Sequence, residues 1–253
     1  MFLEEKFGLT GKTAIVTGGG SGIGQQAAVD LAKAGAKIAI FSRSGAEETV
    51  KMIQDNGGEA VSIIADVREE SAVKEAVDQV VQRFGSVDIL FNNAGICEHK
   101  SALEADAKDF RNIIETNLVG VYIVARTVAA AMIRLGIQGS IINVGSISGK
   151  IINIPQEQTS YNASKAAVIH MTKSLAIEWA KYGIRVNSIS PGYIKTPMGD
   201  VPKEMEEAWM PMIPIHRWGK TEELTGMIIY LAGPSASLTT GQDFVIDGGY
   251  TCL

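Results

Sequence analysis

The sequence predicts an α/β protein: a single doubly wound domain over residues 1–253, with a mostly parallel sheet and helices on both faces. Three observations carry that expectation. Short β-branched runs alternate with helical patterns along the whole chain, which is the order of βαβ units. A glycine-rich turn, Gly18-Gly19-Gly20-Ser21-Gly22-Ile23-Gly24, falls between the first strand and the first helix. The length of 253 residues suits one large α/β domain, and no internal repeat or low-complexity linker divides it.

Taken in order, Thr13 to Thr17 is a β-branched run that reads as a buried strand. The glycine turn and a helical pattern from Gln25 to Ala34 follow. Between those two elements the glycines allow a tight turn, and close approach of backbone N–H groups to a pyrophosphate at the helix N-terminus. Lys37 to Phe41 is the second strand. Dinucleotide folds often end it with an Asp or Glu that bonds the adenosine ribose 2′-OH, but here Ser42 and Arg43 stand there. A helix is expected over about Ala46 to Asn56, then a strand at Ala60 to Ala65 that ends in Asp66-Val67, and a helix from Glu69 to Phe84. The strand from Val87 to Phe91 runs into Asn92-Asn93-Ala94-Gly95. A long helix from about Asp106 to Arg134 carries Asn117 near its middle. Asn is a poor helix former, because its side chain competes for backbone hydrogen bonds. Asn117 is therefore either a tolerated surface residue or a polar group pointed inward at a local kink.

The fifth strand, Ser140 to Gly145, delivers Ser146 at its carboxyl end, where ligands bind in open α/β sheets. The helix from Ser160 to Lys181 bears Tyr161 and Lys165, four residues apart and so on one helical face. A free phenol titrates near pH ~10, and an ammonium beside it favours the phenolate and lowers that value. Tyr161 would then be poised to give or take a proton, with Ser146 bonding the substrate oxygen. Strand six, Ile184 to Ile189, leads into Pro191-Gly192-Tyr193-Ile194-Lys195-Thr196-Pro197. Residues 198–217 break the alternation. Their Pro, Met and Trp residues suggest a substrate lid with a short helix near Lys203 to Ala208. A last helix, Thr221 to Ala232, and a strand, Phe244 to Ile246, complete the chain.

Composition excludes several classes. The formal net charge is −5, so broad nucleic-acid binding is not expected. The segment Met1-Phe2-Leu3-Glu4-Glu5-Lys6 lacks the pattern of a signal peptide, and apolar runs are interrupted, for instance by Arg126; no membrane span is expected. Two cysteines, Cys97 and Cys252, make no disulfide framework, and a reducing, cytoplasmic location is the easier reading. Three scattered histidines give no zinc spacing, so no metal is expected. His170, on the helix beyond Lys165, reads as a packing residue.

Together Thr17-Gly18-x-x-x-Gly22-Ile23-Gly24, Asn92-Asn93-Ala94-Gly95, Asn117, Ser146, Tyr161-x-x-x-Lys165 and Pro191-Gly192 resemble the short-chain dehydrogenase/reductase family over nearly the whole chain. The resemblance implies a Rossmann-type domain and a nicotinamide cofactor bound by Gly18, Ser21, Gly22, Ile23, Gly24, Asn93, Ala94, Gly95, Pro191 and Gly192. It implies that Tyr161 is the proton donor or acceptor, that Lys165 binds the nicotinamide ribose, and that Ser146 orients the substrate. Asn117 would hold a relay water, Asp66 and Val67 would contact adenine, and Ile194 and Thr196 would hold the carboxamide. It also implies a homotetramer, built partly through the two long helices and the last strand. The charge-poor run Val119, Val121, Ile123 and Val124 suits that burial or an intrachain core equally.

A narrower resemblance is carried by Pro155-Gln156-Glu157-Gln158-Thr159-Ser160-Tyr161-Asn162, by Asn187 to Ile194 and by Ile246-Asp247-Gly248-Gly249-Tyr250-Thr251. It points to the branch holding NADP-dependent mannitol 2-dehydrogenase, sorbose reductase and L-xylulose reductase. The implied reaction interconverts a ketose and a polyol. A polyol site needs buried polar partners, and Asn153, Gln156, Glu157, Gln158 and His99 either supply them or are exposed loop polars. Of these, Asn153 and Gln158, with Ser146 and Tyr161, are the substrate candidates. Alternatives are reduction of another carbonyl, such as a 3-oxoacyl thioester or a steroid, and a non-catalytic dinucleotide sensor. Ser42 cannot repel a 2′-phosphate as Asp would, and Arg43 adds a planar cationic fork; NADP is therefore expected in preference to NAD.

Overall fold

The computed structural model describes residues 2–196 and 203–253. The chain runs α1 (Phe2–Phe7), β1 (Thr13–Thr17), α2 (Gly22–Lys33), β2 (Lys37–Ser42), α3 (Glu47–Asp55), β3 (Ala60–Ile64), α4 (Glu70–Phe84), β4 (Ile89–Asn92), α5 (Ala107–Ile114), α6 (Gly120–Leu135), β5 (Ser140–Val144), α7 (Thr159–Trp179), β6 (Arg185–Pro191), β7 (Ile194–Lys195), α8 (Lys203–Trp209), β8 (Gly219–Lys220), α9 (Glu222–Ala232) and β9 (Asp243–Ile246). The seven-stranded sheet has the order β3-β2-β1-β4-β5-β6-β9, and every pairing in it is parallel. The chain winds outward from β1 to β3, then returns to the other side of β1 with β4. That reversal opens a crevice at the carboxyl ends of β1 and β4, where Thr17 pairs with Asn92.

Alternate residues of each strand feed two cores, as a sheet covered on both faces requires. Ile15, Ala39, Phe41 and Leu90 face Val73, Val77, Val124, Val128 and Leu175 of α4, α6 and α7. Ala14, Val16, Ile38, Ile40 and Phe91 face Ala27, Leu31, Ile53, Ile228 and Leu231 of α2, α3 and α9. Val121, Ile123 and Val124 are buried within the chain, so that run belongs to the domain core. The same packing accounts for the apolar stretch Ala107–Leu135, which is long and apolar enough to cross a membrane by length and composition alone; half of its most apolar window is buried inside the domain.

The predicted elements are all present, with ends that shift by up to three residues. Helix α1 and the small parallel pair β7–β8 were not expected: α1 buries none of its residues, and two-residue strands carry no periodicity to read. The helix expected near Lys203 to Ala208 is α8, while 198–202 of the expected lid region lie outside the described residues. His170 is exposed, because it lies on the outer side of α7, away from buried Lys165 and Ile169; it does not pack.

Candidate active site

The strand ends converge on one cleft of about 660 Å³. Gly18, Gly20, Ser21 and Ile23 line it after β1, Ser42 and Arg43 after β2, and Asp66 and Val67 after β3. Asn93, Ala94, Gly95 and Ile96 come from the end of β4; Val144, Gly145 and Ser146 from β5; Pro191, Gly192, Ile194 and Thr196 from β6 onward; Tyr161 completes the wall. Gly22 and Gly24 do not line the cleft. A Cβ on Gly24 would lie 2.3 Å from the Gly18 carbonyl oxygen and 2.5 Å from Asn93 Nδ2, so Gly24 lets α2 seat against its own turn. Gly18, at φ +65°, makes the turn itself.

Buried polar groups set the floor. Thr17 Oγ1 accepts from the N–H groups of Asn93 and Ala94, each at 2.9 Å. Asn93 Nδ2 donates to the carbonyls of Thr17 (3.2 Å) and Gly18 (3.1 Å). The Asn93 side chain therefore secures the glycine turn, and only the rest of the residue is left to face a ligand. Asn92 donates to Asn143, which donates to Thr172, tying β4, β5 and α7 together below the site.

At the β2–β3 end of the cleft, Arg43 is exposed and Ser42 half-buried. The Asp66 carboxylate is gripped by Arg68 (Nη2–Oδ2 2.6 Å). That hydrogen bond holds Asp66 below the usual carboxylate range, and the nearby Arg43 charge adds to the effect.

At the other end stand Ser146, Tyr161 and Lys165. Lys165 is buried and donates to the Val144 carbonyl at 2.8 Å; its Nζ lies 5.6 Å from the centre of the Tyr161 ring. Burial pulls Lys165 down to about 8. Burial also pushes the Tyr161 phenol up, the neighbouring Cys97 thiol adds to the rise, and a hydrogen bond with Ser146 pulls it back. This corrects the expectation of a lowered phenol. Desolvation disfavours the charged form of both groups, and the Lys165 ammonium is directed at a backbone carbonyl instead of the phenol oxygen. Ser146 Oγ accepts from the Ser148 N–H at 3.1 Å, which leaves its own proton to donate.

Asn117 is fully buried in a π-helical turn, Glu115–Val119, that joins α5 to α6. The inward polar group is there, and the helix departs from α geometry at it as a π turn; one-turn π segments recur at functional sites. Its Oδ1 accepts from Ile96 N at 2.8 Å, and its Nδ2 donates to Ile96 O at 2.8 Å and to Ser164 Oγ at 3.2 Å. Ser164 in turn donates to the Tyr161 carbonyl at 2.7 Å. Asn117 thus clamps the loop after Gly95 onto α7.

Asn153, Gln156 and Gln158 are buried, at 2, 7 and 5% exposure, whereas Glu157 and His99 are exposed. The three amides lie behind the cleft wall and bond to Ser148, Tyr193, Asn162 and Trp209. Sequence assigns no site role to Tyr193, Ser148, Arg68 or Cys97, and reads Trp209 only as one of the lid residues. Exposed Ile152 and Ile154 flank buried Asn153, the inverse of an ordinary amphipathic surface, so the polarity pattern of the loop reads the wrong way round and does not mark this buried polar wall.

A family model described as enoyl-(acyl carrier protein) reductase matches residues 18–251. The chain is 42% identical to an NADP-dependent mannitol dehydrogenase of Alternaria alternata, over 98% of this chain and 95% of that protein. It is 39% identical to a sorbose reductase of Candida albicans, over 97% of this chain and 89% of that protein. The crystal structure of a short-chain type dehydrogenase/reductase from Mycobacterium marinum superposes with a TM-score of 0.96 at 43% identity, covering 98% of this chain and 99% of that one. With the parallel sheet, the strand-end cleft and the Ser146–Tyr161–Lys165 group, these likenesses show that the chain belongs to the short-chain dehydrogenase/reductase family of oxidoreductases.

Proposed function

We propose that the protein is an NADP(H)-dependent oxidoreductase that interconverts a ketose and a polyol, the chemistry named in its mannitol dehydrogenase and sorbose reductase relatives. The observation that carries the reading is one continuous cleft with an exposed cation, Arg43, at one end and the Ser146–Tyr161 pair at the other. The cleft fits an extended dinucleotide. The glycine turn gives close backbone approach, Arg43 and Ser42 suit a 2′-phosphate, and the residue that ends β2 is Ser42, not an acid that would repel it. Gly95, Ile194 and Thr196 stand where the nicotinamide end would lie.

NADPH, when bound, supplies the hydride that goes to the ketone carbon. Tyr161 Oη gives the proton to the ketone oxygen, so the carbonyl becomes a secondary alcohol. Ser146 donates a hydrogen bond to that oxygen, and Lys165 carries the positive charge beside it. A protonated phenol is the form this direction requires. The ketose and polyol relatives favour a polyhydroxylated substrate over a thioester; Asn153, Gln156 and Gln158 bond to protein partners and do not line the cleft, so they would bear on the substrate only through the wall they build. Steady-state kinetics with NADPH test the reading: fructose, sorbose or xylulose is expected to be reduced faster than a hydrophobic ketone of similar size. Faster turnover of an acetoacetyl thioester than of every ketose would overturn it.

A substrate lid over about 198–217 within the single domain, a homotetramer and a cytoplasmic location complete the proposal. Exposed Tyr122 and Ile133 on α6, Ile177 on α7 and the edge position of β9 support assembly; light scattering of the purified protein tests it. Two free thiols, Cys97 and Cys252, support a reducing compartment.

A further inference from the structure

The aim of the Ser146 hydroxyl is set by a turn, and the turn is held from a distance. Ser146 Oγ accepts from the Ser148 N–H, so the short helical turn Ile147–Gly149 fixes the direction left for its proton. Ser148 Oγ donates to Asn153 Oδ1 at 2.6 Å. Asn153 Nδ2 donates to Tyr193 Oη at 3.1 Å, and Gln156 Nε2 donates to the same oxygen at 3.0 Å. Gln156 Oε1 accepts from Trp209 Nε1, the last residue of α8, at 2.8 Å. The Trp209 indole also stacks on the Tyr193 ring, centroids 4.4 Å apart. Asn153, Gln156 and Trp209 are buried, so a partner lost from this chain is not readily replaced by water. Tyr193, Gln156 and Trp209 do not line the cleft. Tyr193 Oη is the atom at which the two halves of the chain meet.

We propose that Tyr193 is a positioning residue for the reduction: its hydroxyl couples helix α8 to the Ser146 turn, and through that turn sets the aim of the Ser146 proton at the ketone oxygen. This rests on the reading of Ser146 and Tyr161 as the site of ketone reduction. Gln156 and Trp209 act through the same oxygen, so substrate contacts that move α8 reach the reacting atoms without a residue of α8 touching them.

Kinetics of the full chain with NADPH and a ketose test the coupling. Tyr193→Phe keeps the ring beside Trp209, Trp218 and Tyr250 and removes the oxygen. We expect kcat to fall about tenfold, the effect of hydrogen bonds lost to buried amides, with KM for NADPH unchanged. In a Ser146→Ala background the same substitution is expected to have no further effect on kcat, because Tyr193 then has nothing left to aim. No change in the parent, or an equal fold-loss in both backgrounds, would overturn the proposal. Amide hydrogen exchange gives a second arm that needs no turnover and does not depend on Tyr193→Phe folding. Trp209→Phe, which keeps an aromatic ring but removes the indole N–H, is expected to raise exchange at residues 147–153; unchanged exchange there overturns the coupling. If the parent reduces no ketose, the ketose reading fails by itself and the exchange arm still decides this one.

Discussion

Burial acts on Tyr161 and Lys165 in the same sense, by penalising the charged form of each. The phenol rises, so it is protonated through the neutral range, the form that the proposed reduction needs. Lys165 falls to about 8, so it is the first of the pair to change charge as the solution becomes alkaline. The proposed reduction calls on the ammonium form; kcat/KM for ketone reduction is therefore expected to hold below about pH 8 and to fall as pH rises through it. Lys165→Met should lower the rate and remove that limb, and a pH–rate profile that keeps it would assign it to another group. Tyr161→Phe keeps the ring and loses the acid, so turnover should drop by about 10²–10⁴-fold while NADPH still binds. At the far end of the cleft, Ser42→Asp with Arg43→Ala should reverse the cofactor preference. The parent is expected to favour NADPH by about 10- to 100-fold, the size of a charged hydrogen bond. Efficiencies with both cofactors decide it, and equal efficiency in the parent would remove Ser42 and Arg43 from the site.

Among the elements, α2 and the α5–α6 run show how local sequence serves the cleft. Helix α2 begins at Gly22 and can seat on its turn because Gly24 presents no side chain to the Gly18 carbonyl. Gly24→Ala places a methyl against backbone that cannot swing away. A stability loss of about 1–3 kcal/mol is expected, together with weaker NADPH binding; a melting curve and a fluorescence titration measure the two. The π turn around Asn117 was foreshadowed by a residue that helices tolerate poorly. Its partners were not, because Ile96 and Ser164 lie 21 and 47 residues away in sequence.

For the molecule as a whole, the sheet is the rigid part, and stability resides in its two covered faces. Phe91 is fully buried in central strand β4, against the α2–α9 layer. Phe91→Ala removes a large side chain from a site with helices on one side and strands on either edge, where collapse is difficult. A loss of about 3–5 kcal/mol is expected, read as a lowered unfolding midpoint in denaturant. A change under 1 kcal/mol would mean that the core repacks freely around β4.

Order and spacing along the chain determined the fold class, the strand and helix succession, the glycine turn and the shared helical face of Tyr161 and Lys165. These depend on local periodicity and on residues a few positions apart, which a linear text preserves. The tertiary structure alone decided what those residues touch. It turned the Asn93 side chain to the glycine turn, gave Asp66 to Arg68, and raised the phenol that spacing had led us to expect lowered. It also joined Asn153, Gln156, Tyr193 and Trp209 across as many as 53 residues of sequence. Such contacts depend on which elements the sheet brings side by side and on how much water their packing excludes, and neither quantity is written in any short stretch of the chain.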